Sequence, residues 1–140
     1  MDTGKAALGG LDGNLAAALG YPIGIIALLS VFMEKENKFV KFHALQSLFM
    51  LVGWVVFIIA LVIVSMIIGM IAGGAAGSGG AAGAAGSIVG IILSLVWLLT
   101  FLLLPLVYVA IIIFAAVKAY GGNMFKLPII GNIAEGMANK

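Results

Sequence analysis

Residues 43–72, HALQSLFMLVGWVVFIIALVIVSMIIGMIA, decide the fold because they contain no Asp, Glu, Lys or Arg. Between Phe42 and Lys118 the chain has no charged side chain apart from His43 when it is protonated, a run of roughly 75 residues, whereas one membrane-spanning helix needs about 20. The whole chain of 140 residues is 64% hydrophobic and 9% charged. Soluble domains contain roughly 25% charged residues. The sequence therefore predicts an all-α, polytopic helical membrane protein.

A glycine-rich stretch divides the uncharged run. Residues 73–87, GGAAGSGGAAGAAGS, hold more glycine than a stable helix interior tolerates, since each glycine costs about 1 kcal/mol relative to alanine. We therefore predict an external Gly/Ala loop at residues 73–87, with span two at residues 43–72 and span three at residues 88–120. Pro105 removes a backbone donor within span three and predicts a kink. A complete break at Pro105 would give four spans.

The segment upstream of the long run supplies another span. Residues 15–33 are apolar and close to the length of one crossing, so we predict three transmembrane helices. An N-terminal segment at residues 1–14 precedes them, a polar connector at residues 34–42 follows span one, and a tail at residues 121–140 follows span three. The first residues resemble neither a secretory signal nor a transit peptide. We therefore expect the protein in the cytoplasmic (inner) membrane of a prokaryote.

Lysines indicate the orientation in the membrane. Three spans place the connector, the end of span three and the tail on one side of the membrane. These segments carry six of the seven lysines, namely Lys35, Lys38, Lys41, Lys118, Lys126 and Lys140. By the positive-inside rule this side is cytoplasmic. We therefore predict that the N-terminus and the Gly/Ala loop lie outside and the C-terminus inside.

The residues available for chemistry are few. The chain has no cysteine, which excludes thiolate catalysis and cysteine metal sites, and no arginine, which disfavours a nucleic-acid reader. We predict no enzyme, no catalytic residue, no metal site and no cofactor. His43, the only histidine, is a weak candidate for cofactor binding, for example as an axial porphyrin ligand. The simpler interpretation is that His43 hydrogen-bonds a neighbouring helix end or a lipid headgroup.

Small residues recur at a spacing of four on both sides of the predicted loop. They are Ser65, Gly69 and Gly73 before it and Gly86, Gly90 and Ser94 after it. That spacing lines one face of a helix, and small side chains let helix backbones approach closely in lipid. We predict that these residues pack helices together, either spans two and three of one chain or two copies of the chain.

Two further segments have an apolar and a polar side. Near the start of span two, Phe39, Phe42 and Leu45 alternate with lysines, and such a segment is typical of the headgroup layer. In the tail the apolar residues indicate a second interfacial helix after Pro128. They are Leu127, Ile130, Ile133, Ala134 and Met137.

The run KFVKFHALQS, residues 38–47, resembles the signature of a family of small bacterial and archaeal membrane proteins of unassigned function, which is similar to the plastid import component Tic-twenty. The resemblance extends upstream over YPIGIIALLSVFMEKENKF and downstream over GGNMFKLPIIGNIAE. Its specific part is Phe42, His43, Ala44 and Gln46. It implies a few-span helical protein connected with the movement of proteins across or into membranes. We expect the motif residues to hold the start of span two against its neighbours.

Our leading hypothesis is a non-enzymatic membrane component, a scaffold or assembly subunit acting through helix packing and a basic cytoplasmic face. Its partners would be the lipid bilayer and other membrane subunits or further copies of itself, not nucleic acid. One alternative is an oligomeric protein-translocation or transport element. Another is an accessory subunit of a redox or photosynthetic membrane complex, with His43 as the cofactor ligand.

Overall fold

A computed structural model describes residues 3–140, and its regular elements in this range are all helices. In chain order they are α1 (Gly13–Leu19), α2 (Gly24–Met33), α3 (Lys38–Gly77), α4 (Gly80–Tyr120) and α5 (Ile130–Ala138). An isolated antiparallel bridge joins Lys5 and Asp12 ahead of α1. The predicted all-α class is confirmed.

Two helices within residues 3–140, α3 and α4, are long and apolar enough to cross a membrane. They contain 40 and 41 residues, which makes each about 60 Å long against about 30 Å for the hydrocarbon layer. Large apolar side chains along both helices are exposed, for example Met70 at 76% and Phe101 at 76%. A core helix of a soluble protein would bury such residues, so the exposure fits lipid contact.

The predicted Gly/Ala loop at residues 73–87 differs from the structure. α3 continues to Gly77 and α4 begins at Gly80, so only Ser78 and Gly79 separate the two helices. Alanine has the highest helix propensity, and the alanines in this stretch offset part of the glycine cost. The reversal depends on positive φ angles, +76° at Gly79 and +58° at Gly80, which favour glycine.

Two other predicted boundaries also differ. α4 runs without a break through Pro105, so the four-span alternative is not observed. Residues 15–33 do not form one span, because the turn at residues 20–23 separates α1 from α2. Pro22 explains that break, since proline disfavours helical geometry at the preceding residue and lacks an N–H. With 10 residues α2 is about 15 Å long, half the hydrocarbon thickness, and the predicted count of three spans is not confirmed.

The chain divides into two compact units, which we call the polar unit and the hairpin unit. The polar unit comprises residues 3–54 and 109–140, and the hairpin unit comprises residues 55–108. The hairpin unit contains no Asp, Glu, Lys, Arg or His.

Inside the polar unit, the start of α3 packs against α5. Phe42 and Leu45 are 0% and 5% exposed and form a core cluster with Ala134 and Ala138. Phe42 and Leu45 therefore contact α5 and do not face lipid headgroups directly. The small side chains of α5 leave the space that the larger residues of α3 fill.

The N-terminal segment contacts the connector between α2 and α3. The side-chain amide of Asn37 donates to the carbonyl oxygen of Thr3 at 2.7 Å, and the N–H of Ala7 donates to Glu34 Oε2 at 2.7 Å. Segments in contact lie on one side of a membrane. The prediction that residues 1–14 and residues 34–42 lie on opposite sides is therefore inconsistent with the structure.

Candidate functional site

His43 lies at the centre of a buried polar cluster near the start of α3. Its side chain is 0% exposed, its Nε2 is 3.1 Å from the carbonyl oxygen of Asn123, and its Nδ1 is 2.9 Å from the Tyr21 hydroxyl. Because a carbonyl oxygen only accepts hydrogen bonds, Nε2 carries the proton and Nδ1 accepts from the phenol. Both ring nitrogens are therefore engaged within the protein.

This arrangement bears on the proposed cofactor role of His43. A ring nitrogen that ligates a metal must give up its hydrogen-bond partner, and here the partners are Tyr21 and the Asn123 carbonyl. Among residues 3–140, no group of three or more His, Asp or Glu side chains is placed to hold a metal ion. The geometry favours the interpretation of His43 as a structural hydrogen-bonding residue.

Gln46, one helical turn after His43, uses its whole amide. Its Nε2 donates to the Tyr21 hydroxyl at 2.7 Å and to the Phe125 carbonyl at 3.0 Å, while its Oε1 accepts from the Leu127 N–H at 3.0 Å. Gln46 is 0% exposed. A single side chain thus joins α3 to the α1–α2 turn and to the segment that leads into α5.

Ser47 completes the contact with the α1–α2 turn. Its hydroxyl donates to the carbonyl oxygen of Gly20 at 2.7 Å. Non-helical backbone at membrane depth is tolerated only where protein or water satisfies its polar groups. Ser47 supplies such a partner to the turn backbone, and His43 and Gln46 bond the side-chain hydroxyl of Tyr21.

Aromatic rings surround the imidazole. The ring centroids of Phe39 and Phe42 lie 4.6 and 4.8 Å from that of His43, both edge-to-face. Tyr21 lies in the α1–α2 turn, outside α3 and α4, and burial raises the pKa of its phenol to about 12, against the smaller opposing effect of the Gln46 hydrogen bond. The phenol therefore stays protonated at neutral pH and is able to donate to His43.

The structure also shows partners that the sequence did not identify. The motif Phe42, His43, Ala44 and Gln46 is buried throughout, but its hydrogen bonds reach backbone atoms about 80 positions away. A Cβ at Gly131 would lie 2.9 Å from Gln46 Oε1, so the start of α5 requires glycine. The downstream stretch GGNMFKLPIIGNIAE, which carries part of the family resemblance, contains all of these partners.

The small-residue positions of the hairpin unit fall into two groups. At Gly86 an added Cβ would lie 2.4 Å from the Ala76 nitrogen, so α4 packs directly on the α3 backbone there. At Gly69, Gly73 and Gly90 an added Cβ would meet no heavy atom within 4 Å. The close contact within the hairpin therefore involves Gly86 and leaves the other three glycines open.

An apolar groove of about 550 Å³ lies between α3 and α4 in the hairpin unit. All six predicted packing residues line it, namely Ser65, Gly69, Gly73, Gly86, Gly90 and Ser94. The two serine hydroxyls donate to carbonyls of their own helices, at Leu61 (2.6 Å) and Ile91 (2.7 Å). These two hydroxyls are therefore satisfied within their own helices.

Fold and site together define a small helical integral membrane protein. Comparison with known proteins is specific about its family: the chain belongs to the magnetosome magnetite crystal formation protein family, whose model matches residues 2–134. It is 36% identical over 134 residues to a UPF0132 membrane protein of Methanocaldococcus jannaschii, covering 94% of this chain and 93% of the relative. A UPF0132 membrane protein of Archaeoglobus fulgidus is 35% identical over 126 residues, covering 87% and 91%.

These comparisons confirm a small prokaryotic membrane protein family of unassigned function and a lipid bilayer environment. The names of the family and of the relatives do not indicate catalysis. They do not show the predicted similarity to Tic-twenty. No solved structure matches the chain.

Proposed function

We propose that this protein is a non-enzymatic scaffold of a prokaryotic membrane and that it associates with further copies of itself through the groove of the hairpin unit. The observation that carries this proposal is the open space beside Gly69, Gly73 and Gly90. Helix contact inside one hairpin accounts for Gly86, but it does not account for these three glycines.

A second copy of the chain fits the chemistry of the groove. In lipid there is little hydrophobic drive between helices, so association depends on close packing, and small residues permit it. The two walls carry the same residue types in mirrored order, Ser-Gly-Gly on α3 and Gly-Gly-Ser on α4. A copy related by a twofold axis would meet a surface identical to its own, as most homodimers do.

The orientation that we propose places the polar unit on the cytoplasmic side of the membrane with both termini. Its lysines outnumber its described acidic residues, and lysine-rich segments remain on the cytoplasmic side. The contact of Thr3 and Ala7 with the connector supports one location for all of these segments. The family description names crystal formation, and the relatives are named as membrane proteins.

Filling the groove tests the proposal. Gly69→Leu and Gly90→Leu place side chains into open space, so each chain is expected to fold. The matched control is Gly53→Leu, which also enters open space on α3 but does not line the groove. Subunit counting by single-molecule photobleaching in liposomes should show oligomers for the wild type and for Gly53→Leu, and monomers for the other two. A monomeric wild type, or one stoichiometry for all four proteins, would overturn the proposal.

A further inference from the structure

Helix α2 buries its small residues and exposes its large ones. Ala27 and Ser30 are 0% and 2% exposed, whereas Ile25 and Phe32 are 64% and 74% exposed. The exposed side chains follow the positions i, i+3, i+4 and i+7 of a single helix face, namely Ile25, Leu28, Leu29 and Phe32. In water the burial would be the reverse, so this face indicates an apolar surrounding.

Helix α5 also buries small residues and exposes large apolar ones, and it has in addition an exposed polar face. Gly131, Ala134 and Ala138 are buried, while Ile133 and Met137 are 50% and 44% exposed. Its polar residues occupy a separate strip, namely Asn132, Glu135 and Asn139. A helix with one apolar and one polar exposed face is typical of the membrane–water interface.

Contacts along α3 fix how far α2 extends. At one end of α2, Glu34 Oε1 accepts from the N–H of Asn37, which directly precedes α3. At the other end, an added Cβ on Gly24 would lie 3.4 Å from a Leu51 methyl carbon. The α1–α2 turn therefore lies beside residues 47–51 of α3, about 14–20 Å from the start of that helix. That distance is shorter than the hydrocarbon layer of about 30 Å.

Positive charge accompanies both short helices. Lys35 follows α2, and Lys126 and Lys140 flank α5. Glu135 of α5 pairs with Lys126 at 2.7 Å, so these two charges offset each other and Lys35 and Lys140 carry the positive charge. Lysines beside an interfacial helix attract anionic lipid headgroups.

We propose that the polar unit lies within a single leaflet of the bilayer. In this arrangement α1 and α2 form a re-entrant pair that enters the leaflet and returns, α5 lies in its headgroup layer, and the partner surface is anionic phospholipid. The hydrogen bonds of Ser47 and Gln46 to the turn are what permit the re-entry, because they satisfy polar groups that lipid does not.

Spin-label measurements of membrane depth test whether α2 and α5 lie in one leaflet. The chain has no native cysteine, so a single introduced cysteine is labelled without background. Phe32→Cys and Ile133→Cys replace exposed side chains, and the neighbouring polar position Asn132→Cys is the matched control. In phosphatidylcholine–phosphatidylglycerol liposomes, labels at 32 and 133 should be accessible to oxygen and protected from a water-soluble nickel complex. The label at 132 should show the opposite. Equal nickel accessibility at all three positions would overturn the proposal.

Lipid class is tested separately by tryptophan quenching. In a Trp97→Phe background, Trp54 of the polar unit reports the lipid beside it. Brominated phosphatidylglycerol should quench Trp54 more strongly than brominated phosphatidylcholine at equal mole fraction, and Lys35→Gln with Lys140→Gln should weaken this preference. Lys5→Gln is the control, since Lys5 pairs with Asp12 at 2.6 Å. Equal quenching by both lipids would reject the anionic partner. These readouts report on each protomer, so they are separable from failure of the self-association proposed above.

Discussion

The Tyr21 hydroxyl lies 2.9 Å from Nδ1 of His43, a contact between residues 22 positions apart that joins the α1–α2 turn to α3. The same imidazole donates from Nε2 to the Asn123 carbonyl after α4. One side chain thus connects three segments of the polar unit, and the stability of that unit should depend on it strongly.

Replacing His43 by alanine is expected to destabilise the protein by about 2–4 kcal/mol, because it creates a cavity and leaves the Tyr21 hydroxyl and the Asn123 carbonyl without this partner. Equilibrium unfolding in mild detergent measures the change. Val52→Ala, at a position 59% exposed on the same helix, is the control and should change stability by less than about 0.5 kcal/mol. A loss for His43→Ala no larger than that of the control would contradict the structural role.

Tyr21→Phe removes one oxygen and keeps the ring. The His43 Nδ1 acceptor loses its donor, while Gln46 still donates to Phe125. We expect a loss of about 1–2 kcal/mol, and a double-mutant cycle with His43→Ala should give a coupling free energy of at least about 0.5 kcal/mol. Strict additivity of the two losses would show that the hydrogen bond contributes nothing.

The Tyr21 phenol also predicts a dependence on alkaline pH. Its pKa is about 12 in the folded protein against 10.0 for an unperturbed tyrosine, since burial disfavours the phenolate. Between these values the unfolded chain binds fewer protons than the folded one, so stability is complete below about pH 10 and falls as the pH rises towards 12. Unfolding measured across this range should show a smaller decline for Tyr21→Phe than for the wild type. Identical declines would exclude Tyr21 as a source.

Two glycines of α4, one turn apart, should respond oppositely to alanine. Gly86→Ala forces a Cβ to within 2.4 Å of the Ala76 nitrogen and should separate the helices of the hairpin unit. Gly90→Ala meets open space and should stabilise the helix by up to about 1 kcal/mol through its higher propensity. Thermal unfolding in detergent distinguishes the two. A matching loss at both positions would contradict the close approach at Gly86.

Ile129 offers a different test, because its φ of +67° is unfavourable for a β-branched residue. Ile129→Gly should relieve this strain and raise stability by about 1 kcal/mol. Ile133→Gly, within α5, should instead lower it by about 1 kcal/mol. Chemical unfolding in detergent compares the pair, and a loss of stability at both positions would show that the backbone at Ile129 is not strained.

The sequence predicted the long apolar helices because absence of charge over such a length has few explanations other than a membrane. It placed the reversal around Ser78 and Gly79 but made the loop too long, since the cost of each glycine was weighed without the alanines between them. It also merged α1 and α2 into one span, because residues 15–33 have the length and hydropathy of a crossing. The structure has a turn within these residues, and the Ser47 hydroxyl donates to its Gly20 carbonyl. Because the two residues are 27 positions apart, no local sequence pattern predicts this contact.

The family motif also predicted only part of the site. Family resemblance singled out His43 and Gln46, but the resemblance does not say which atoms they meet. Their partners are largely backbone groups, and any residue type supplies a carbonyl or an N–H. Tyr21, whose hydroxyl meets both side chains, and Gly131, which admits the Gln46 side chain, are the partners whose residue type matters.

The two-residue link between α3 and α4 has a consequence for biosynthesis. When such a protein enters the bilayer, helices joined by only Ser78 and Gly79 must be inserted together, as one element. Moving a charged side chain to the bilayer centre costs about 2.5–3.5 kcal/mol on translocon scales, and the stretch 55–108 carries no such side chain. The leading tip of this element therefore meets no electrostatic barrier, and in the orientation proposed above the lysines of the polar unit remain on the cytoplasmic side.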